Sequence, residues 1–253
     1  MRLIEDAGRF LTKLRGYPPI FRGRDGALSA VPPGAFVVAH NAGDRLAAAR
    51  ASVAARVDVV EIDLIMRRGR LLVGHPRDAW IFSRILLPTL DPEAAWAEAS
   101  RAPAVKLDLK EESPAFVRLA LQFASAHEGS RLMIVTRSAS VVEAFAREAP
   151  WVLRALSVSA ESLARLRQDE ALLRLVDGVS GHPDRFDAAT IAWLRERGLF
   201  SMSSVVNTFA LAERLLAAGV CGMITDNLAL MEAIGGRGGI DTLDWTRERK
   251  GAA

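Results

Sequence analysis

Short apolar runs, each followed by a longer stretch with apolar residues at helical spacing, recur along almost the whole chain. The runs are Ala35–His40, Val57–Ile65, Ala104–Leu109, Leu132–Thr136, Val152–Val158, Gly178–Ser180, Leu199–Ser204 and Gly222–Thr225. They are rich in Val, Ile and Leu and nearly continuous rather than alternating, as strands buried on both faces should be. Between them lie helical patterns at Arg45–Ala55, Pro92–Arg101, Ala115–Ala126, Val141–Glu148, Ala160–Leu175, Ala188–Arg197, Phe209–Ala218 and Asn227–Ile234. Gly198 and Gly219 fall just past two helix ends, where a left-handed cap is expected.

Strands alternating with helices in this way predict an α/β fold closed as a (β/α)₈ TIM barrel, a single domain with a short N-terminal helix. An open doubly wound sheet would bring a glycine-rich phosphate loop after its first strand, and the chain has no GxGxxG. The predicted organisation is an N-terminal helix and lead-in over 1–34, the barrel over 35–236 and a C-terminal tail over 237–253. Leu3, Ile4, Phe10, Leu11 and Leu14 form one stripe of the N-terminal helix. Capping the bottom of the barrel is the expected role, and touching a membrane surface is the alternative.

Composition changes this picture little. Of 253 residues, 50% are hydrophobic, and the single cysteine, Cys221, has no internal bridging partner. The net charge is +3, but acidic and basic residues are interspersed, without the basic runs that nucleic-acid binding would want. Glu5 and Asp6 stand where a signal peptide needs its apolar centre, and no apolar run is long enough to cross a membrane. The expectation is a soluble cytoplasmic protein, with peripheral membrane contact as the second reading; the sequence leaves the oligomeric state open.

Candidate chemistry gathers at the predicted strand ends, where barrels of this kind place their reacting groups. The first strand ends in His40-Asn41. The second reads Glu61-Ile62-Asp63, and a short hairpin-like return ends at His75. The third reads Lys106-Leu107-Asp108-Leu109-Lys110. Residues two apart on a strand point the same way, so Glu61 and Asp63 share a face, as do Lys106, Asp108 and Lys110. Three carboxylates converging at one mouth would repel each other, and a hard divalent cation removes that cost; an all-oxygen set suits Mg²⁺ or Ca²⁺ better than zinc. His40 and His75 beside it would supply a general base and a general acid, and Lys110 would neutralise developing charge on a phosphate.

The pattern H-x₂₀-E-x-D-x₁₁-H-x₃₂-D-x-K resembles the glycerophosphodiester phosphodiesterase superfamily. Ser204-Val205-Val206-Asn207 is similar to that family's W-T-V-N strand, and Gly219–Asp226 to its G-V-D-G-I-I-T-D ending, so the likeness spans roughly residues 35–234. It implies a phosphoric diester hydrolase with Glu61, Asp63 and Asp108 as metal ligands, His40 and His75 as acid and base, and Lys110 on phosphate. The expected substrate is a small glycerophosphodiester or a lysophospholipid. The alternatives are a phospholipase D-like lyase that forms a cyclic phosphate, and a non-catalytic anion-binding barrel.

The departures from the family pattern carry information. The usual H-R-G is His40-Asn41-Ala42, so the phosphate-clasping arginine is missing; Asn41, Asp44 and Arg45 are the candidates to replace it, Asn41 first, and Arg137 after the fourth strand is expected as a second phosphate contact. Ser204 stands in place of the tryptophan. The trimmed segment after His75 and the D-x-K strand resemble the sphingomyelinase D and menorin-like branches. In that segment Trp80, Ile81, Phe82, Ile85, Leu86 and Leu87 either meet lipid or pack over the rim. Lys106 is read as an inward structural cation below the site. His182, in the segment after the sixth strand, is expected at the catalytic face, and His127, at a helix end, as a solvated or capping residue.

Overall fold

The computed structural model describes residues 20–23, 26–74 and 90–245. The N-terminal stripe, His75 and the apolar segment around Trp80–Leu87 lie outside the described residues. The strands are β1 (Phe36–Ala39), β2 (Val59–Arg67), β3 (Arg70–Val73), β4 (Ala104–Leu109), β5 (Leu132–Thr136), β6 (Leu153–Val158), β7 (Gly178–Gly181), β8 (Phe200–Ser204) and β9 (Gly222–Thr225). All but β3 run parallel, in the order β1-β9-β8-β7-β6-β5-β4-β2, and β1 pairs with β2 to close the cylinder. The protein is therefore a (β/α)₈ barrel. β3 adds an antiparallel extension to β2 alone, pairing Leu64 with Val73 and Arg67 with Arg70.

The helices around the barrel are α1 (Leu46–Ala54), α2 (Pro92–Ala99), α3 (Pro114–Ala126), α4 (Ala139–Glu148), α5 (Ala160–Leu166), α6 (Glu170–Leu175), α7 (Ala188–Glu196), α8 (Phe209–Ala218) and α9 (Leu228–Ile234). The sequence pattern over 160–175 predicts one helix, but α5 and α6 are two. Asp169 stops propagation because its side chain accepts a hydrogen bond from Leu172 N at 2.9 Å, starting a new N-terminus. Gly219 caps α8 in the left-handed region at φ 94°, as its position predicts.

Alternate residues of each strand serve two cores. Val60, Ile62, Leu64, Leu107, Ile134, Val179 and Met223 face the helices. Phe36, Val38, Val59, Ala104, Met133, Val135, Leu153, Phe200 and Met202 fill the lower cylinder, with Ile240 from the C-terminal segment packed into the same cluster. The inward phase that begins at Val59 and Ala104 continues to Glu61 and Asp63, and to Lys106 and Asp108. The cylinder thus turns from apolar to charged within one strand length.

Two polar devices fix the geometry beneath and beside that charged layer. Buried Asp58 accepts hydrogen bonds from Val37 N at 2.9 Å and Gly236 N at 3.1 Å, tying β1 and the end of α9 to the start of β2. At the upper end a short 3₁₀ turn, Ala42–Asp44, lies against β2. Gly43 allows the approach: a Cβ there would sit 2.4 Å from Ile62 Cγ1 and 2.8 Å from the Glu61 carbonyl oxygen. Gly43→Ala is expected to destabilise the protein by about 1–3 kcal/mol, because backbone rather than a flexible tip must yield. Urea denaturation checks this; an unchanged midpoint would mean that the turn does not brace β2.

Candidate active site

Adjacent strands set the site in register. Glu61 pairs with Lys106 and Asp63 with Asp108, so two acids on β2 meet a cation and an acid on β4 at the same heights in the barrel. Glu61, Asp63 and Asp108 each bring a carboxylate oxygen within 4.8 Å of the others. Lys110 Nζ donates to Asp108 Oδ2 at 2.6 Å and lies 3.1 Å from Asp63 Oδ1. Deeper in the barrel, Lys106 Nζ lies 3.0 Å from Glu61 Oε1, with both side chains only 2% exposed. Lys106 is thus an inward cation, as its phase on β4 predicts.

Among the described residues three carboxylates face two lysines, and Asp44 stands close by, its Oδ1 accepting from Asp63 N at 2.9 Å. Glu61 Oε2 and Asp63 Oδ2 are buried without a hydrogen-bond partner among the described residues, and Asp63 Oδ1 has only its ion pair with Lys110. Burial, followed by Asp44, Glu61 and Asp108, pushes the Asp63 carboxyl well above the usual carboxylate range, against the pull of Lys110. Burial also opposes ionisation of Glu61, but Lys106, His40 and Lys110 outweigh it and hold that carboxyl below its ordinary value. Lys110 is likewise held charged against burial by Asp63, Asp108 and Glu61. Converging, orphaned carboxylate oxygens are what a hard cation satisfies, so these residues fit a divalent metal on chemical grounds.

His40 follows β1, whose register matches Ala39 with Thr225 on β9. That closure brings His40 Nδ1 within 2.9 Å of Asp226 Oδ1. Asp226 is itself fixed by Asn207, which donates from Nδ2 to Oδ2 at 3.0 Å and accepts from the Asp226 backbone N–H at 2.8 Å. Thr225 Oγ1 donates to the same Asn207 amide oxygen at 2.9 Å. Burial favours neutral His40, yet the hydrogen bond to Asp226 and the charges of Glu61 and Asp226 raise its pKa above the ordinary imidazole value. A carboxylate on Nδ1 selects the ring orientation that turns Nε2 to the other side.

The remaining predicted residues divide. Asn41, beside His40, is buried in the left-handed conformation at φ 47°, and neither polar atom of its side-chain amide has a hydrogen-bond partner among the described residues. Arg137 continues the inward phase of Met133 and Val135 one residue past β5 but is exposed. His182 is 63% exposed, and its Nδ1 accepts from Asp184 N at 3.3 Å. His127 is not solvated: it is the C-cap residue of α3, and its ring stacks on Trp96 at 3.9 Å. His75 lies beyond the last described residue of this segment, Gly74, whose N–H donates to Asp63 O at 2.9 Å.

Sequence reasoning gave Asn207 and Asp226 no role in the site and weighed Asp44 only as a stand-in for the missing arginine, not as an acid beside Asp63. The Asn207 and Asp226 positions were visible only as elements of a motif. Asp44 had a usable signal, an acid four residues beyond His40 at the same barrel end.

Fold and site together define a closed parallel barrel with an acidic, lysine-buttressed mouth and a carboxylate-oriented histidine. No family model matches the sequence, and no curated protein matches it. Among solved structures the chain is similar to a phosphodiesterase from Oleispira antarctica in complex with the product sn-glycerol-3-phosphate: 16% identity, 84% of this chain and 98% of that one, TM-score 0.64. It is similar also to a glycerophosphodiester phosphodiesterase from Parabacteroides distasonis: 17% identity, 83% and 97% covered, TM-score 0.64. A third such enzyme, from Thermotoga maritima, matches at 13% identity over 78% and 96%, with a TM-score of 0.59. The shared property is the barrel fold over nearly the full length of those chains.

Proposed function

We propose that the protein is a metal-dependent phosphodiesterase acting on small glycerophosphodiesters or related phospholipid head-group esters. The observation that carries this reading is the meeting of three acids, with Glu61 Oε2 and Asp63 Oδ2 buried and unpartnered among the described residues, beside a histidine oriented by a carboxylate. The solved structures with this fold point the same way, since one holds a glycerol phosphate product.

Glu61, Asp63 and Asp108 would hold one divalent cation, which when bound polarises a phosphoryl oxygen and neutralises its charge. Lys110 places a second positive charge beside it. The attacking water loses a proton to one imidazole of the His40 and His75 pair as its oxygen bonds to phosphorus. The other imidazole gives a proton to the alkoxide as the ester P–O bond breaks. Asp226 keeps His40 in the orientation for either task. Asn41 replaces the arginine of the related pattern as a neutral phosphate contact, because its buried amide has no partner among the described residues; Arg137 is a second contact, and a charged one. Paired proton carriers favour an enzyme over an anion-binding barrel, which needs none.

Among the described residues no helix is long and apolar enough to cross a membrane. We propose a cytoplasmic location, with peripheral contact through the apolar segment after His75 as the alternative.

Hydrolysis of glycerophosphodiesters and of a chromogenic phosphodiester, with and without chelator, tests the reading. Activity should vanish with chelator and return with Mg²⁺ or Ca²⁺, and phosphorus NMR should show a monoester rather than a cyclic product. Activity indifferent to chelator, or no turnover of any diester, would remove it. Asn41→Ala should raise KM about tenfold with little change in kcat, as expected for loss of one ground-state hydrogen bond.

A further inference from the structure

The lysine below the site has no place in the proposed reaction, yet it is among the largest fully buried side chains of the chain. Burying an ammonium is costly unless its partner is close and aligned. Lys106 has that partner in Glu61 Oε1 at 3.0 Å, whereas Glu61 Oε2 is also buried and has none among the described residues. The two oxygens of one carboxylate are thus treated differently. One is occupied by a cation belonging to the protein, and the other is left over in a residue that clusters with Asp63 and Asp108.

We propose that Lys106 is a positioning residue that engages one oxygen of Glu61 and presents the other as a single-oxygen ligand, so that the site prefers Mg²⁺ to Ca²⁺. The inference rests on the metal reading above and adds the identity of the ion to it. Ca²⁺ accepts seven or eight oxygens and gains from a carboxylate that chelates with both. Mg²⁺ takes six in a strict octahedron and uses carboxylates one oxygen at a time. A lysine locked on Oε1 forbids chelation by Glu61 and removes an advantage that only the larger ion can use. The cross-strand register of Glu61 with Lys106 makes the arrangement rigid, since neither backbone can slide without breaking the barrel ladder.

The test is calorimetric titration of the chelator-treated protein with MgCl₂ and, separately, CaCl₂, for wild type, Lys106→Met and Lys106→Gln. Wild type should bind Mg²⁺ more tightly. Lys106→Met frees Oε1 and should move the Mg²⁺/Ca²⁺ affinity ratio toward Ca²⁺ by about tenfold or more, whatever happens to the absolute affinities. Lys106→Gln keeps a donor for Oε1 without the charge, so both affinities rise together and the ratio stays near wild type. Equal ratio shifts in the two variants would mean that charge rather than the hold on one oxygen matters, and would overturn the proposal. So would an unchanged ratio in Lys106→Met. Should Lys106→Met fail to fold, wild type and Lys106→Gln still decide: tighter wild-type binding of Ca²⁺, or a ratio shift in Lys106→Gln, refutes it. Failure of wild type to bind either cation would sink the metal site itself, a distinguishable result.

Discussion

Asp63→Asn should make the metal-free protein more stable and almost inactive. Among the described residues, Asp63 Oδ2 has no partner and Oδ1 only Lys110 Nζ at 3.1 Å, and three other acids crowd the side chain. An amide of the same shape removes a buried charge that Lys110 only partly offsets, and it can donate to the neighbouring carboxylates. The expected gain is about 1–2 kcal/mol, or a few degrees in Tm for a chain of this size. Added Mg²⁺ reverses the order. Wild type gains about 2.7 kcal/mol at a cation concentration a hundred times Kd, and the variant gains little. Loss of the cation's charge stabilisation in the transition state should lower kcat/KM about 10³-fold, equivalent to about 4 kcal/mol.

Asp63 also sets a pH dependence. Its folded pKa lies above the unfolded value, so the folded state holds the extra proton between the two. Metal-free wild type should therefore gain stability as pH falls through that window, while Asp63→Asn should not. Thermal melts with and without Mg²⁺ across pH check all of this. A variant that still binds Mg²⁺ and turns over substrate would remove Asp63 from the site.

Why the charged mouth was legible and its wiring was not follows from the range of each signal. Continuous Val, Ile and Leu runs mark strands because both faces of a closed parallel barrel are covered. Once the strands are placed, the period of two puts Glu61 with Asp63, and Lys106 with Asp108 and Lys110, without further information. Pairing Lys106 with Glu61 needs the β2–β4 register, which depends on how two strands 45 residues apart slide together. Linking His40 to Asp226 needs more, since those residues are 186 positions apart and meet only because the last strand closes on the first. The break between α5 and α6 escaped for the opposite reason. Apolar spacing continues across it, and only the capping geometry of Asp169 separates the two helices.

Disconnecting His40 from Asp226 should change catalysis by moving a pKa as well as by losing a group. His40→Ala is expected to lower kcat about 10²–10⁴-fold, the usual contribution of a positioned proton carrier. Asp226→Asn leaves the imidazole in place but replaces its charged partner with a neutral amide, and Asn207 loses the carboxylate that it orients. The expected loss is smaller, about 10–100-fold, and it should come with a displaced pH profile. The hydrogen bond that His40 donates to Asp226 raises the imidazole above its ordinary value, so the limb assigned to His40 should move to lower pH in the variant. The stability linkage has the same sign. A histidine raised in the folded state adds stability below its unfolded pKa, and that stability is lost as pH rises through the folded value. Asp226→Asn should flatten that slope. Proton NMR titration of the metal-free protein, with His40→Ala to assign the resonance among the four histidines, reads the shift directly. If the His40 resonance titrates identically in wild type and Asp226→Asn, the carboxylate is a structural strut and the proton carrier is tuned by Glu61 instead.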